Sequence, residues 1–169
     1  DTVAKRTIAW LQHSGTLLRD SELTFYRTFL RSLAFQLRYL RAVAKGLGEG
    51  EPRLRARIAL VFAALSLPVS TARLAQATRN LGSELDRQIL PDGIHISRNP
   101  ETILELLTDL LPLRQTYANQ SETPPAALVA AIERLLPALR FFRHADGSLA
   151  RFNGAGFAMQ ERIAAVLRY

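Results

Sequence analysis

A chain of 169 residues, 48% apolar and 22% charged, is one ordinary domain or part of a larger one, with enough apolar side chains for a continuous core; wholesale disorder is excluded. It contains no cysteine, which removes a disulfide framework, thiolate metal sites and cysteine nucleophiles and leaves the redox compartment open. With 22 Lys+Arg against 15 Asp+Glu the net charge is +7. That balance favours an anionic partner, whether nucleic acid, acidic polysaccharide or anionic lipid. Nearly all the cations are arginine, Lys5 and Lys45 being the lysines, and arginine offers a planar fork for carboxylate, sulfate or phosphate.

The apolar period is helical almost throughout. Val3, Ile8 and Leu11 fall on one side of a first helix that starts at the chain's beginning. Residues 21–45 place Tyr26, Leu30, Leu33, Leu37 and Leu40 on one stripe, and Gly46 and Gly48 end that helix. Residues 52–66 repeat the pattern and Pro68 closes it. Ser70 is the expected N-cap of a long helix through Leu74, Leu81, Leu85 and Ile89. Pro91-Asp92-Gly93 is a turn. Asn99-Pro100 supplies N-cap and first position of a helix to about Ala118. Pro124-Pro125 opens a further helix to Phe142, residues 144–154 are a loop, and residues 156–168 form the last helix. Seven helices with short links imply antiparallel neighbours. Leu110-Leu111-Pro112-Leu113-Arg114 recurs as Leu135-Leu136-Pro137-Ala138-Leu139-Arg140. Each proline removes one helical hydrogen bond, which suggests an arc of curved helical hairpins. Both chain ends read as cuts within a longer protein.

No run of about 18 apolar residues marks a membrane span. His13, His95 and His144 never reach the spacing of a helical zinc motif, so no metal and no cofactor is expected. The stripe Arg27, Arg31, Arg38, Arg41 and Lys45 suits a phosphate track, but Phe25, Tyr26, Phe29, Phe35 and Tyr39 are spread over several faces and make no stacking platform. A solvated outer face is the better reading, and nucleic acid is disfavoured as a partner. Two loops remain as candidates. Residues 91–100 set His95, Ser97, Arg98 and Asn99 before a helix N-terminus, where backbone N–H groups favour an anion. Residues 140–154 gather Arg140, Arg143, Arg151, His144, Asp146 and Asn153 with turn-forming Gly147 and Gly154. The competing reading of each is structural: Asn99 merely caps and Arg98 pairs with an acid, and the second loop is an Asp-Gly turn followed by an Asn-Gly turn.

PDGIHISRNP, ETILELLTDLLPLRQTY and LPALRFFRHADGSLARFNG, with AWLQHS and GEPRLRARIAL, together resemble the heparinase II/III family of polysaccharide lyases. The resemblance covers essentially the whole chain. It implies an all-α fold of antiparallel helical hairpins forming part of an incomplete (α/α) toroid, residues 1–169 being a single domain without the family's C-terminal β-sandwich. It also implies β-elimination on a uronic-acid-containing polysaccharide, with an acidic polysaccharide and the chain's own β region as partners, in a bacterial periplasm or cytoplasm. Asn153 then matches the family's neutraliser of the substrate carboxylate, and His95, Arg98, Asn99, Arg143 and His144 are substrate contacts. The catalytic tyrosine and histidine of the family lie outside this chain, so the isolated chain is not expected to turn over substrate. The rival expectations are a basic helical module for nucleic acid and a non-catalytic helical scaffold for a protein partner.

Overall fold

A helical period that persists along nearly the whole chain yields helices along nearly the whole chain. The computed structural model describes residues 2–169, and the fold is all-α. Among the described residues there are eight helices: α1 (Thr2–Gln12), α2 (Ser14–Leu17), α3 (Leu23–Val43), α4 (Glu51–Ser66), α5 (Thr71–Gln88), α6 (Pro100–Asn119), α7 (Ala126–Phe141) and α8 (Gln160–Leu167). The expected helices are all present, with two differences. A single extra turn, α2, follows α1. The last helix begins at Gln160 instead of 156; residues 152–155 form a turn with Asn153 and Gly154 at φ +49° and +85°, outside helical geometry. Pro112 and Pro137 both sit inside their helices.

Two compact units divide the chain, the first ending at Leu81 and the second comprising Gly82–Tyr169, so the boundary falls within α5. In the first unit α4 packs against α1 and α3, and α1 also meets α3. Ten of the 16 residues of α4 are buried, among them Leu54, Ile58, Val61, Phe62 and Leu65. A helix apolar on all sides belongs at the centre of its unit. Even Arg55, on this helix, is fully buried and ion-pairs with Glu51. The covering helices are amphipathic: α3 turns Phe29, Leu33, Leu37 and Leu40 inward. Trp10 stacks on Phe29 with ring centroids 5.0 Å apart.

In the second unit α6 packs against both α7 and α8, and Leu104, Leu107, Leu110, Leu128, Ile132, Leu135 and Ile163 are fully buried. Asn99 caps α6 as its sequence suggests: its side-chain oxygen accepts from the Glu101 and Thr102 amides at 2.8 and 3.4 Å.

The loops after α5 and α7 are the same object twice. Each is a miniature hairpin closed by one antiparallel bridge, Ile89 with His95 and Arg143 with Leu149. In the first, the Gly93 amide donates to the Leu90 carbonyl and the Leu90 amide to the Ile94 carbonyl, both at 2.9 Å; in the second, Gly147 to His144 and His144 to Ser148 repeat this at the same distance. This is a three-residue connection ending on a left-handed glycine, Gly93 at φ +79° and Gly147 at φ +86°. Asp92 and Asp146, Gly93 and Gly147, and Asn99 and Asn153 stand at a constant offset along the chain.

The surroundings of the two glycines differ. A Cβ on Gly93 would lie 2.1 Å from the Arg134 carbonyl oxygen, which is backbone of α7 and cannot swing away; on Gly147 its nearest neighbour would be the mobile Arg143 guanidinium at 3.4 Å. Gly93→Ala is therefore expected to destabilise by more than about 3 kcal/mol, and Gly147→Ala by about 1–2 kcal/mol, the cost of a left-handed residue with a side chain. Urea unfolding of the two variants checks this; equal losses would contradict it.

Candidate functional site

The first hairpin carries a buried polar chain. His95 is 1% exposed. Its Nδ1 accepts from the Ser97 backbone amide at 3.1 Å, which leaves Nε2 to carry the proton and donate to the Gln88 side-chain oxygen at 2.9 Å. The Ser97 hydroxyl lies 2.9 Å from Nδ1 and donates to it. Gln88 in turn donates to Glu84 at 2.9 Å. Both ring nitrogens are thus engaged in joining the end of α5 to its hairpin.

Arg98 and Asn153 are brought together, but by backbone geometry. Arg98 sits at φ +54°, its guanidinium 2.6 Å from the Asp92 carboxylate and its carbonyl accepting from the Asn153 side-chain amide at 3.0 Å. Three residues on, the Gly156 amide donates to Glu101 at 2.7 Å. The second hairpin's exit is therefore laid against the first turn of α6. Arg143 and His144 are exposed; their backbone closes the second hairpin, and Phe152 packs edge-on against Phe142.

Asp92 and Asp146 repeat one role. Asp92 accepts from the Ile94 amide at 3.1 Å, and Asp146 accepts from the Ser148 amide and hydroxyl at 2.8 and 2.7 Å. The backbone hydrogen bond from Ile94, with Arg98 adding to it, holds the Asp92 carboxyl below its usual value of 3.8. The hydrogen bonds from Ser148 do the same for Asp146. The Arg98–Asp92 pair is exposed and worth little by itself; the turn amides do most of the holding.

A different surface emerges in the first unit. A groove of about 590 Å³ lies between α3 and the α4–α5 connection, floored by Leu30, Leu33, Leu37 and Val69 and rimmed by Arg31, Arg38, Arg41 and Arg73. It continues into a second hollow of about 300 Å³ that shares Arg41, Val69 and Arg73 and adds Lys45 and Arg57. No acidic residue lines either part. The basic stripe along and just past α3 is thus solvent-exposed as expected, yet three of its five members, Arg31, Arg38 and Arg41, border an apolar trough. Arg73, which completes the rim from α5, is far away in sequence and was not part of the stripe. One signal for it was legible: no acidic residue occurs between Glu22 and Glu49, nor between Glu51 and Glu84. Residues 1–81 hold 13 Lys+Arg and five Asp+Glu, net +8, whereas residues 82–169 hold nine and ten, net −1. The arginines themselves are spread almost evenly, 11 against nine; the net charge is concentrated in the first unit because acids are scarce there.

Among the described residues no group of three or more His, Asp or Glu is placed to hold a metal ion, and no helix is long and apolar enough to cross a membrane.

No protein-family model matches the chain, and no solved structure matches it. Over 93 residues, 55% of its length, the chain is 43% identical to FtsZ-localized protein C of Caulobacter vibrioides (strain NA1000 / CB15N); the match spans 16% of that protein. This finding corrects the polysaccharide-lyase expectation: the relative's name speaks of localisation with FtsZ and of no lyase. The expected partners, an acidic polysaccharide and a C-terminal β region, fall with it, as do the glycosaminoglycan and uronic-acid attributes. The physical source of the resemblance is visible in the hairpins. Asp-Gly is what a turn with a left-handed glycine selects, while Asn99 caps a helix and Asn153 stands in a turn of its own. Asn153, expected as a carboxylate neutraliser, is exposed and donates one hydrogen bond from its side-chain amide to the Arg98 carbonyl.

A carboxyl whose folded-state pKa is lowered supports its turn while ionised. That support is complete above about 3.8 and is lost as pH falls through the lower folded-state value. In an NMR titration the Ile94 and Ser148 amide protons should therefore shift with midpoints below 3.8. Midpoints at or above it would contradict the assigned hydrogen bonds.

Proposed function

We propose that the chain is a helical interaction module of a protein that acts at the bacterial cell-division site, binding a partner of the FtsZ assembly without chemical turnover. The carrying observation is the 43% identity over 93 residues to a protein named for its localisation with FtsZ. The arrangement of polar groups agrees with this. In the second unit the side chains of His95, Asn99, Asp146 and Asn153 each hydrogen-bond within the chain. In the first unit the surface offers a groove with an uncompensated cationic rim, a feature suited to recognition.

A second reading, a basic module for nucleic acid, draws on the +8 charge of residues 1–81 and on the general attraction of such surfaces for phosphate. One experiment separates the two. A fluorescent fusion of the chain, imaged in dividing alphaproteobacterial cells, is expected to concentrate in a band that forms and disperses with FtsZ. Fluorescence over the nucleoid would favour nucleic acid, and uniform fluorescence would contradict the division-site proposal.

A further inference from the structure

We propose that the groove between α3 and the α4–α5 connection binds an acidic peptide segment that carries a stripe of apolar side chains. This deepens the interaction-module reading and rests on it.

Three observations carry it. First, the groove is apolar at its floor: Leu33 and Leu37 are buried beneath it, and Leu30 and Val69 are partly open to it. Removing such surface from water favours an apolar occupant. Second, Arg31, Arg38, Arg41 and Arg73 stand around that floor and none pairs with a carboxylate among the described residues. Elsewhere arginines do find acids: Arg53 pairs with Glu49, Arg98 with Asp92 and Arg162 with Glu105. Third, Arg57 reaches the adjoining hollow from α4 with its Nε buried and without a hydrogen-bond partner. A buried donor of this kind is normally satisfied, and a carboxylate entering the hollow would satisfy it.

The shape selects among anionic partners. Duplex DNA would lay sugars and phosphates over a leucine floor and leave it unfilled. A lipid bilayer presents a flat front that cannot enter a trough. An amphipathic helix places apolar side chains at i, i+3, i+4 and i+7 into such a trough and its acidic residues against the rim, the helix-in-groove mode of peptide recognition. Charge complementarity at the rim steers the encounter, and the apolar floor fixes the register.

The test uses a synthetic helical peptide of about 15 residues with leucines at the i, i+3, i+4 and i+7 positions and glutamates on the remaining face, labelled with fluorescein. Beside it stand a peptide of identical composition with scrambled order, a duplex DNA oligonucleotide, and vesicles of phosphatidylglycerol. The ordered peptide is expected to bind at least about tenfold more tightly than the scrambled one, and to weaken on raising salt because the rim charges are exposed. Arg41→Glu and Arg73→Glu should each weaken it about tenfold or more. Both residues are exposed, and circular dichroism confirms that the variants fold. Ala34→Trp, also at an exposed groove position, should block binding without changing charge. Equal binding of ordered and scrambled peptides would overturn the proposal. So would undiminished binding by Ala34→Trp, or a DNA or vesicle affinity that exceeds the ordered peptide's and is lost with the same substitutions. Absence of a division-site band with ordered-peptide binding intact overturns the proposed function alone; a division-site band from a chain that, unaltered, does not bind the ordered peptide overturns the groove alone.

Discussion

Helix α4 has almost no side to give to water, and the first unit is organised around that constraint. With ten of 16 residues buried, it must be enclosed, and α1 and α3 do part of the enclosing. A helix that covers a core can spend only one face on it; its other face is solvent-exposed and polar. In this stretch the polar residues with charge are arginine and lysine, because residues 23–48 and 52–83 contain no acid at all. The cationic surface is therefore the outer side of the same pattern that builds the core. Where α3 leaves part of its apolar stripe beside Val69, the floor of the groove and its arginine rim arise together.

The second unit answers to a different constraint. Its two hairpins each reverse the chain in three residues, which requires a residue at positive φ, and glycine supplies it at 93 and 147. The first glycine is also pressed against the α7 backbone, so the turn fixes where hairpin and helix meet. Asn99 and Asn153 occupy corresponding places but have diverged in use. The first caps a helix through its oxygen, and the second holds the neighbouring loop through its nitrogen. Asp92, Asn99, Asp146 and Asn153, conspicuous in sequence, each hydrogen-bond to backbone.

Helices were legible in the sequence because apolar spacing reports directly on which face is covered. Asn99-Pro100 fixed the start of α6 through a local hydrogen bond that needs no tertiary knowledge. The 54-residue recurrence of Asp92-Gly93 and Asn99 at Asp146-Gly147 and Asn153 is present in the letters too, beside the Leu-Leu-Pro recurrence, which marks core packing at a shorter spacing. The groove was not legible as a site. Its rim joins α3 to Arg73 on α5 across about thirty residues, and one-dimensional spacing carries no record of that approach. His95, expected as a substrate contact, has Ser97 and Gln88 at its two ring nitrogens, and the bond to Gln88 on the preceding helix leaves no mark in the local letters.

The proposed recognition surface is the cationic groove, distinct from the two polar loops. Hydrogen–deuterium exchange of the chain, alone and saturated with the ordered acidic peptide, tests this most directly. The expected result is protection at residues 30–45 and 67–73 with little change at residues 89–99 and 142–156. Protection confined to those two loops, with the groove segments exchanging as in the free chain, would contradict it.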